Sequence, residues 1–155
     1  MSKIAHRDVM QIQANPARIR EFVMTPERIA DYFPAFIDHG VLEQGQSFWV
    51  SGKSGVSLFE RIDADCTDSQ VTISVITSNS VTPPYTLEAI KNSPMMSMVE
   101  DWDCTEKDGG TQLTKTWRDV VMHKMKWLPM TLIIRLTAKG ERKKLVEAWG
   151  KAAGA

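Results

Sequence analysis

At 155 residues, 43% hydrophobic and 25% charged, the chain has the make-up of an ordinary globular protein, long enough to bury about two-thirds of the surface its unfolded form exposes. The formal net charge is zero but unevenly spread: residues 1–122 hold 11 Lys/Arg against 17 Asp/Glu, and residues 123–155 hold 8 against 2. An acidic body repels phosphate and argues against a nucleic-acid partner. Lys3, His6, Arg7 and Asp8 stand where an export signal needs its apolar core, which predicts a cytoplasmic protein. The most apolar run, Trp127 to Ile134, is cut by Arg135 and is too short for stable membrane insertion. Cys66 and Cys104 read as two reduced thiols without metal-ligand spacing, and no metal or cofactor is expected.

The chain opens on a strand-like run at Val9–Ala14. Asn15 then suits a helix cap and Pro16 the first helical position, with Ile19, Phe22 and Val23 at helical spacing. Thr25-Pro26 repeats the device, and Ile29, Tyr32 and Phe33 form a second short apolar stripe that Pro34 stops. From Val41 to Met122 the period becomes two. Phe48 and Val50 alternate with polar neighbours, and Gly52-Lys53-Ser54-Gly55 reads as a tight reversal. Val56, Leu58, Ile62 and Ala64 share a face of the next strand; Val71, Ile73 and Val75 mark another after a turn at Thr67-Asp68-Ser69. A short strand is expected at Tyr85–Ile90, between the Pro83-Pro84 and Ser93-Pro94 loops. Met96, Met98, Trp102 and Cys104 share the next face, Lys107-Asp108-Gly109-Gly110 turns the chain, and Leu113, Trp117 and Val121 share the last.

Pro129 starts a helix that runs to about Ala153, roughly 37 Å. Its apolar stripe is Trp127, Met130, Ile134, Ala138, Leu145, Ala148 and Ala152, with Trp149 at the border. Arg135, Lys139, Arg142 and Lys143 lie opposite. So do Leu132 and Leu136, which leaves an apolar face for a partner, a second copy of the chain included. Gly140 interrupts the middle, as a bend or a close backbone approach would require.

The segment Ile12-Gln13-Ala14-Asn15-Pro16 with Arg18-Ile19, the Thr25-Pro26-Glu27 and Tyr32-Phe33-Pro34 pair, Gly45-Gln46-Ser47-Phe48, and Gly109-Gly110-Thr111-Gln112-Leu113-Thr114 occur in this order ahead of the long helix. In that order the chain resembles the START-like (SRPBCC) superfamily across essentially its whole length. The resemblance implies one START-like domain over 1–155 with the α+β helix-grip fold: a curved antiparallel sheet, two short helices after the first strand, and a long C-terminal helix over a cavity. Superfamily members include binders, cyclases, chaperone activators and transfer proteins, so the fold alone leaves the activity open.

A helix held off a curved sheet predicts a hollow, and a hollow predicts a hydrophobic small molecule such as a lipid or polyketide. Met10, Phe48, Val50, Leu58, Met98, Trp102, Trp117, Met130 and Ile134 are the expected apolar wall. Glu60, Glu100 and Glu141 fall on otherwise apolar faces and are its expected polar anchors, or acids at a rim paired with Arg61 or Arg118. A cyclase or dehydratase would use Glu60 or Glu100 as its acid or base. A protein- or membrane-interaction module would instead use the basic terminal helix. His6 and Asp8, two apart on the first strand, read as an exposed strand end, and no serine or cysteine sits in a nucleophile motif.

Overall fold

The structure, a computed structural model, describes residues 1–52 and 55–154. Seven antiparallel strands form one sheet in the order β1-β7-β6-β5-β4-β3-β2. They are β1 (Ile4–Ile12), β2 (Phe36–Val41), β3 (Ser47–Ser51), β4 (Gly55–Arg61), β5 (Gln70–Ser78), β6 (Met96–Lys107) and β7 (Gly110–Met122). The curved sheet carries few helices, and the longest, α3 (Met130–Gly154), grips it: this is the helix-grip fold. Lys53 and Ser54 of the expected reversal lie outside the described residues, but β3 and β4 on either side of them pair antiparallel.

Local sequence explains the first turns. Asn15 Oδ1 accepts from the Ala17 amide and Pro16 opens α1 (Pro16–Val23), whose Ile19, Phe22 and Val23 are buried. Pro26 opens the second element as expected, but Pro26–Asp31 is a 3₁₀ turn and Thr25 does not cap it. The Thr25 hydroxyl donates instead to the Glu21 carbonyl, tightening the end of α1. The strand expected at Tyr85–Ile90 is a helix, α2 (Leu87–Asn92), because the Thr86 hydroxyl accepts from the Ala89 amide and sets a helical start. Phe36–Val41, not anticipated, is the edge strand β2. Ile62 and Ala64 fall beyond β4, where a short 3₁₀ turn at Asp63–Asp65 ends the alternation.

Two cores follow. The inner one joins Met10, Ile12, Leu113, Trp102, Leu145 and Trp149 beneath the C-terminal half of α3, with Trp149 stacked on Trp102 at 5.7 Å. The other lies on the far side of the sheet, where α2 buries Ile90 against Leu42, Val56, Leu58 and Val81. A sheet covered on both faces carries apolar residues at both parities. The N-terminal half of α3 makes a small third cluster, Ile134 and Ala138 against Trp117. Gly140 has no heavy atom within 4 Å of where a Cβ would stand, so no backbone approaches there and the helix passes through it unbroken.

Candidate functional site

Between the first half of α3 and the inner face of β3–β7 lies a cavity of about 320 Å³. Trp49 and Ser51 of β3, Ser57 and Phe59 of β4, and Ile73, Val75 and Thr77 of β5 form one wall. Met96, Met98, Glu100 and Trp102 of β6 with Lys115 and Trp117 of β7 form the floor. Val23, Ile29, Tyr32 and Phe33 close one end, and Met130, Ile133, Ile134, Thr137 and Glu141 of α3 form the roof. Three of the lining hydroxyls are already engaged: Ser57 Oγ and Thr77 Oγ1 bond each other at 2.9 Å, and Thr137 Oγ1 donates to the Ile133 carbonyl at 2.9 Å. Outside its charged floor, Ser51 and Tyr32, the lining is therefore apolar in effect.

The floor holds a charged cluster. Lys115, only 3% exposed, projects from β7 beside Trp117, with its Nζ 4.2 Å from the Trp102 ring centroid, 4.5 Å from that of Trp117 and 5.2 Å from that of Tyr32. Glu100 Oε1 and Glu141 Oε2 each stand 3.8 Å from Nζ. Both are ion-pair distances and both exceed a hydrogen bond. Glu100 Oε2 accepts from Trp102 Nε1 at 3.0 Å, which fixes that carboxylate. Burial pushes the Glu141 carboxyl above its ordinary range, against the opposing pull of Lys115. Burial, helped by Glu100 and Glu141, pushes the Tyr32 phenol well above its usual value and keeps it a protonated donor. Next to this cluster, buried Asp8 on β1 is clasped by Arg142 of α3, whose Nε donates to Oδ2 at 3.1 Å. Asp8 is thus no exposed strand end, and His6 stacks on Trp117 at 5.5 Å.

Of the expected wall and anchors, the structure brings Met98, Glu100, Trp102, Trp117, Met130, Ile134 and Glu141 together around this space. The other five lie elsewhere. Met10 is buried, but on the strand that α3 rests on directly, so core side chains fill the space above it. Phe48, Val50, Leu58 and Glu60 point to the opposite face of the sheet: Phe48 meets Tyr85 at 5.2 Å, Leu58 joins the core under α2, and Glu60 pairs with Lys91 of α2 at 3.6 Å. The true inward parity on β3 and β4 is that of Trp49, Ser51, Ser57 and Phe59. Val121 is exposed because Asp119, at φ 54°, interrupts β7 and shifts its phase. Trp127 stands outside the helical stripe, 77% exposed, since it lies in the turn before α3 where helical angles do not apply. Glu100 and Glu141 pair with Lys115, not with Arg61 or Arg118. Sequence reading missed Lys115 and Tyr32, although Lys115 shares parity with Leu113 and Trp117.

Among the described residues no helix is long and apolar enough to cross a membrane. No family model matches the sequence, and no curated protein matches it. Solved structures do match. A conserved protein from Geobacillus kaustophilus superposes with a TM-score of 0.66 at 12% identity, over 94% of this chain and 95% of that one. Ara h 8.0201 superposes with a TM-score of 0.61 at 10% identity, over 96% of this chain and 98% of that one. DynU16, a protein in the dynemicin biosynthetic locus, does so with a TM-score of 0.52 at 15% identity, over 91% of this chain but 45% of that one. At these identities the likeness establishes the shared fold.

Proposed function

We propose that this chain is a START-like binding domain that holds a small hydrophobic molecule in the cavity under α3. The observation that carries the reading is a hollow of about 320 Å³ walled by Trp, Phe, Met, Ile and Val, in a fold whose opposite sheet face carries a packed apolar cluster under α2. That volume lies within the usual range of ligand sites. At about 25 cal/mol per Å², a guest leaving about 200 Å² of apolar surface in contact gains about 5 kcal/mol gross, from which ordering costs subtract. The partly exposed lining residues Phe33, Ser51, Thr77, Met95, Met130 and Ile133 make the mouth, between the 3₁₀ turn, the strand ends and the start of α3. The Pro83-Pro84 loop has no share in it, since its neighbours Val81 and Tyr85 pack on the far face. Mass spectrometry of protein purified without detergent tests the reading: a co-purifying apolar compound supports it, and failure to find or bind any such compound refutes it.

Catalysis in the same space is the second reading. It is favoured by Glu141, whose carboxyl burial pushes up, and a protonated Tyr32 lining one apolar volume, groups of the kind that exchange protons with a folded polyketide chain. Glu60 has no part in it, being on the opposite face. Glu100→Gln and Glu141→Gln variants with undiminished turnover of a genuine substrate would remove it.

A further inference from the structure

Lys115 is the most deeply buried cation among the described residues, and it is short of acceptors. Its ammonium carries three N–H groups. The two carboxylates facing it stand at 3.8 Å, beyond hydrogen-bonding reach, and its remaining neighbours are the faces of Trp102, Trp117 and Tyr32. Among the described residues its polar partners are these two carboxylates alone, both at long range. Tyr32, whose ring centroid lies 5.2 Å from Nζ and which lines the same cavity, likewise has no hydrogen bond to its hydroxyl among the described residues. Two donors that line an apolar hollow with no close acceptor leave hydrogen-bonding capacity for something from outside to fill.

We propose that the ligand is an electrically neutral molecule whose apolar frame carries an accepting oxygen, as in a ketone, ester or ether, and that this oxygen seats between Lys115 Nζ and the Tyr32 hydroxyl. This deepens the cavity-binding reading and rests on it. The charge of the ligand follows from its neighbours. A carboxylate placed there would face Glu100 and Glu141 with Asp8 behind them. An ammonium would stand against Lys115, which already occupies the aromatic faces a cation would use. Asp8 is matched by Arg142, and Lys115 is shared by Glu100 and Glu141, so an added anion meets carboxylates and an added cation meets the ammonium.

Four naphthalenes of nearly equal size separate the outcomes: 2-acetylnaphthalene, 2-ethylnaphthalene, 2-naphthoate and 2-naphthylmethylammonium, titrated calorimetrically at pH 7. The ketone is expected to bind at least tenfold more tightly than the hydrocarbon, and both ions at least tenfold more weakly than the ketone. Tyr32→Phe, which keeps the ring, and Lys115→Met are each expected to shrink the ketone–hydrocarbon gap to threefold or less; if Lys115→Met fails to fold, Tyr32→Phe carries the comparison. Equal binding of ketone and hydrocarbon, or a gap unchanged in both variants, overturns the donor assignment while leaving a binding cavity. Tightest binding by either ion overturns the neutral class. If even the hydrocarbon fails to bind, the cavity reading falls and this inference falls with it.

Discussion

Replacing Lys115 with Met keeps most of the side-chain volume and deletes the charge, which isolates what the ammonium contributes. The wild-type side chains of Lys115, Glu100 and Glu141 are 4%, 10% and 19% exposed, so little solvent screens them. At 3.8 Å and an effective dielectric near 20, each contact has a gross strength of about 4 kcal/mol, much of it offset by desolvation. Breaking a buried pair by removing one partner generally costs about 3–5 kcal/mol, because an uncompensated charge is left behind. A loss of about 3 kcal/mol is expected at pH 7, or a fall of about 6–12 °C in Tm for a chain of this size. The pH sign follows. Without the cation, Glu141 loses the pull that lowers it while burial still pushes it up, so the native state binds more protons and stability falls as pH rises from the ordinary carboxylate range. The variant should therefore recover toward pH 4.5, and adding Glu100→Gln and Glu141→Gln should bring it within about 1 kcal/mol of wild type at pH 7. Urea unfolding at the two pH values measures both effects. A loss below about 0.5 kcal/mol at pH 7, or one that does not change with pH, would show that the cluster is solvated and the reasoning wrong.

Three further outcomes are expected. Val75→Trp puts an indole into the cavity wall and should abolish binding of apolar probes, at a stability cost of no more than about 1–3 kcal/mol, as titration and thermal melting would show. Gly110→Ala places a Cβ 2.5 Å from the Ile12 carbonyl oxygen and should destabilise, whereas Gly140→Ala meets open space inside a helix and should gain up to about 1 kcal/mol; denaturant midpoints distinguish them. The Cys104 thiol, pushed up to about 12 by burial, should resist iodoacetamide at pH 8 in the native protein and react only after unfolding, as mass spectrometry would show.

Much of the scaffold could be read from single residues whose effect is local. Asn15-Pro16 marks α1 because a side-chain cap and a fixed φ act within one turn. Pro129 announces α3 in the same way. Apart from Val121 and Trp127, where a local bulge and a turn decide, the misreadings arise where tertiary context decides. On β3 and β4 both parities are apolar because α2 covers the second face, so Phe48, Val50 and Leu58 looked as eligible for the cavity as Trp49 and Phe59. Tyr85–Ile90 carries strand-like residues, and only the Thr86 cap and the burial of Ile90 reveal a helix. Met10 has the expected inward direction, yet whether an inward residue meets core or cavity depends on where α3 stands off the sheet. Glu100 and Glu141 were visible as acids on apolar faces. Their partner was overlooked because a lysine on a strand is ordinarily taken as solvated.

Nine methionines occur in the chain, and Met95, Met96, Met98 and Met130 line the cavity. Methyl-labelled methionine NMR, titrated with 2-acetylnaphthalene, tests the central claim most directly. Shifts confined to those four methyls, with Met1, Met24 and Met125 unmoved, are the result this account predicts. Saturating probe that moves none of the four, or moves chiefly Met122 and Met125 at the outer end of β7, would contradict it.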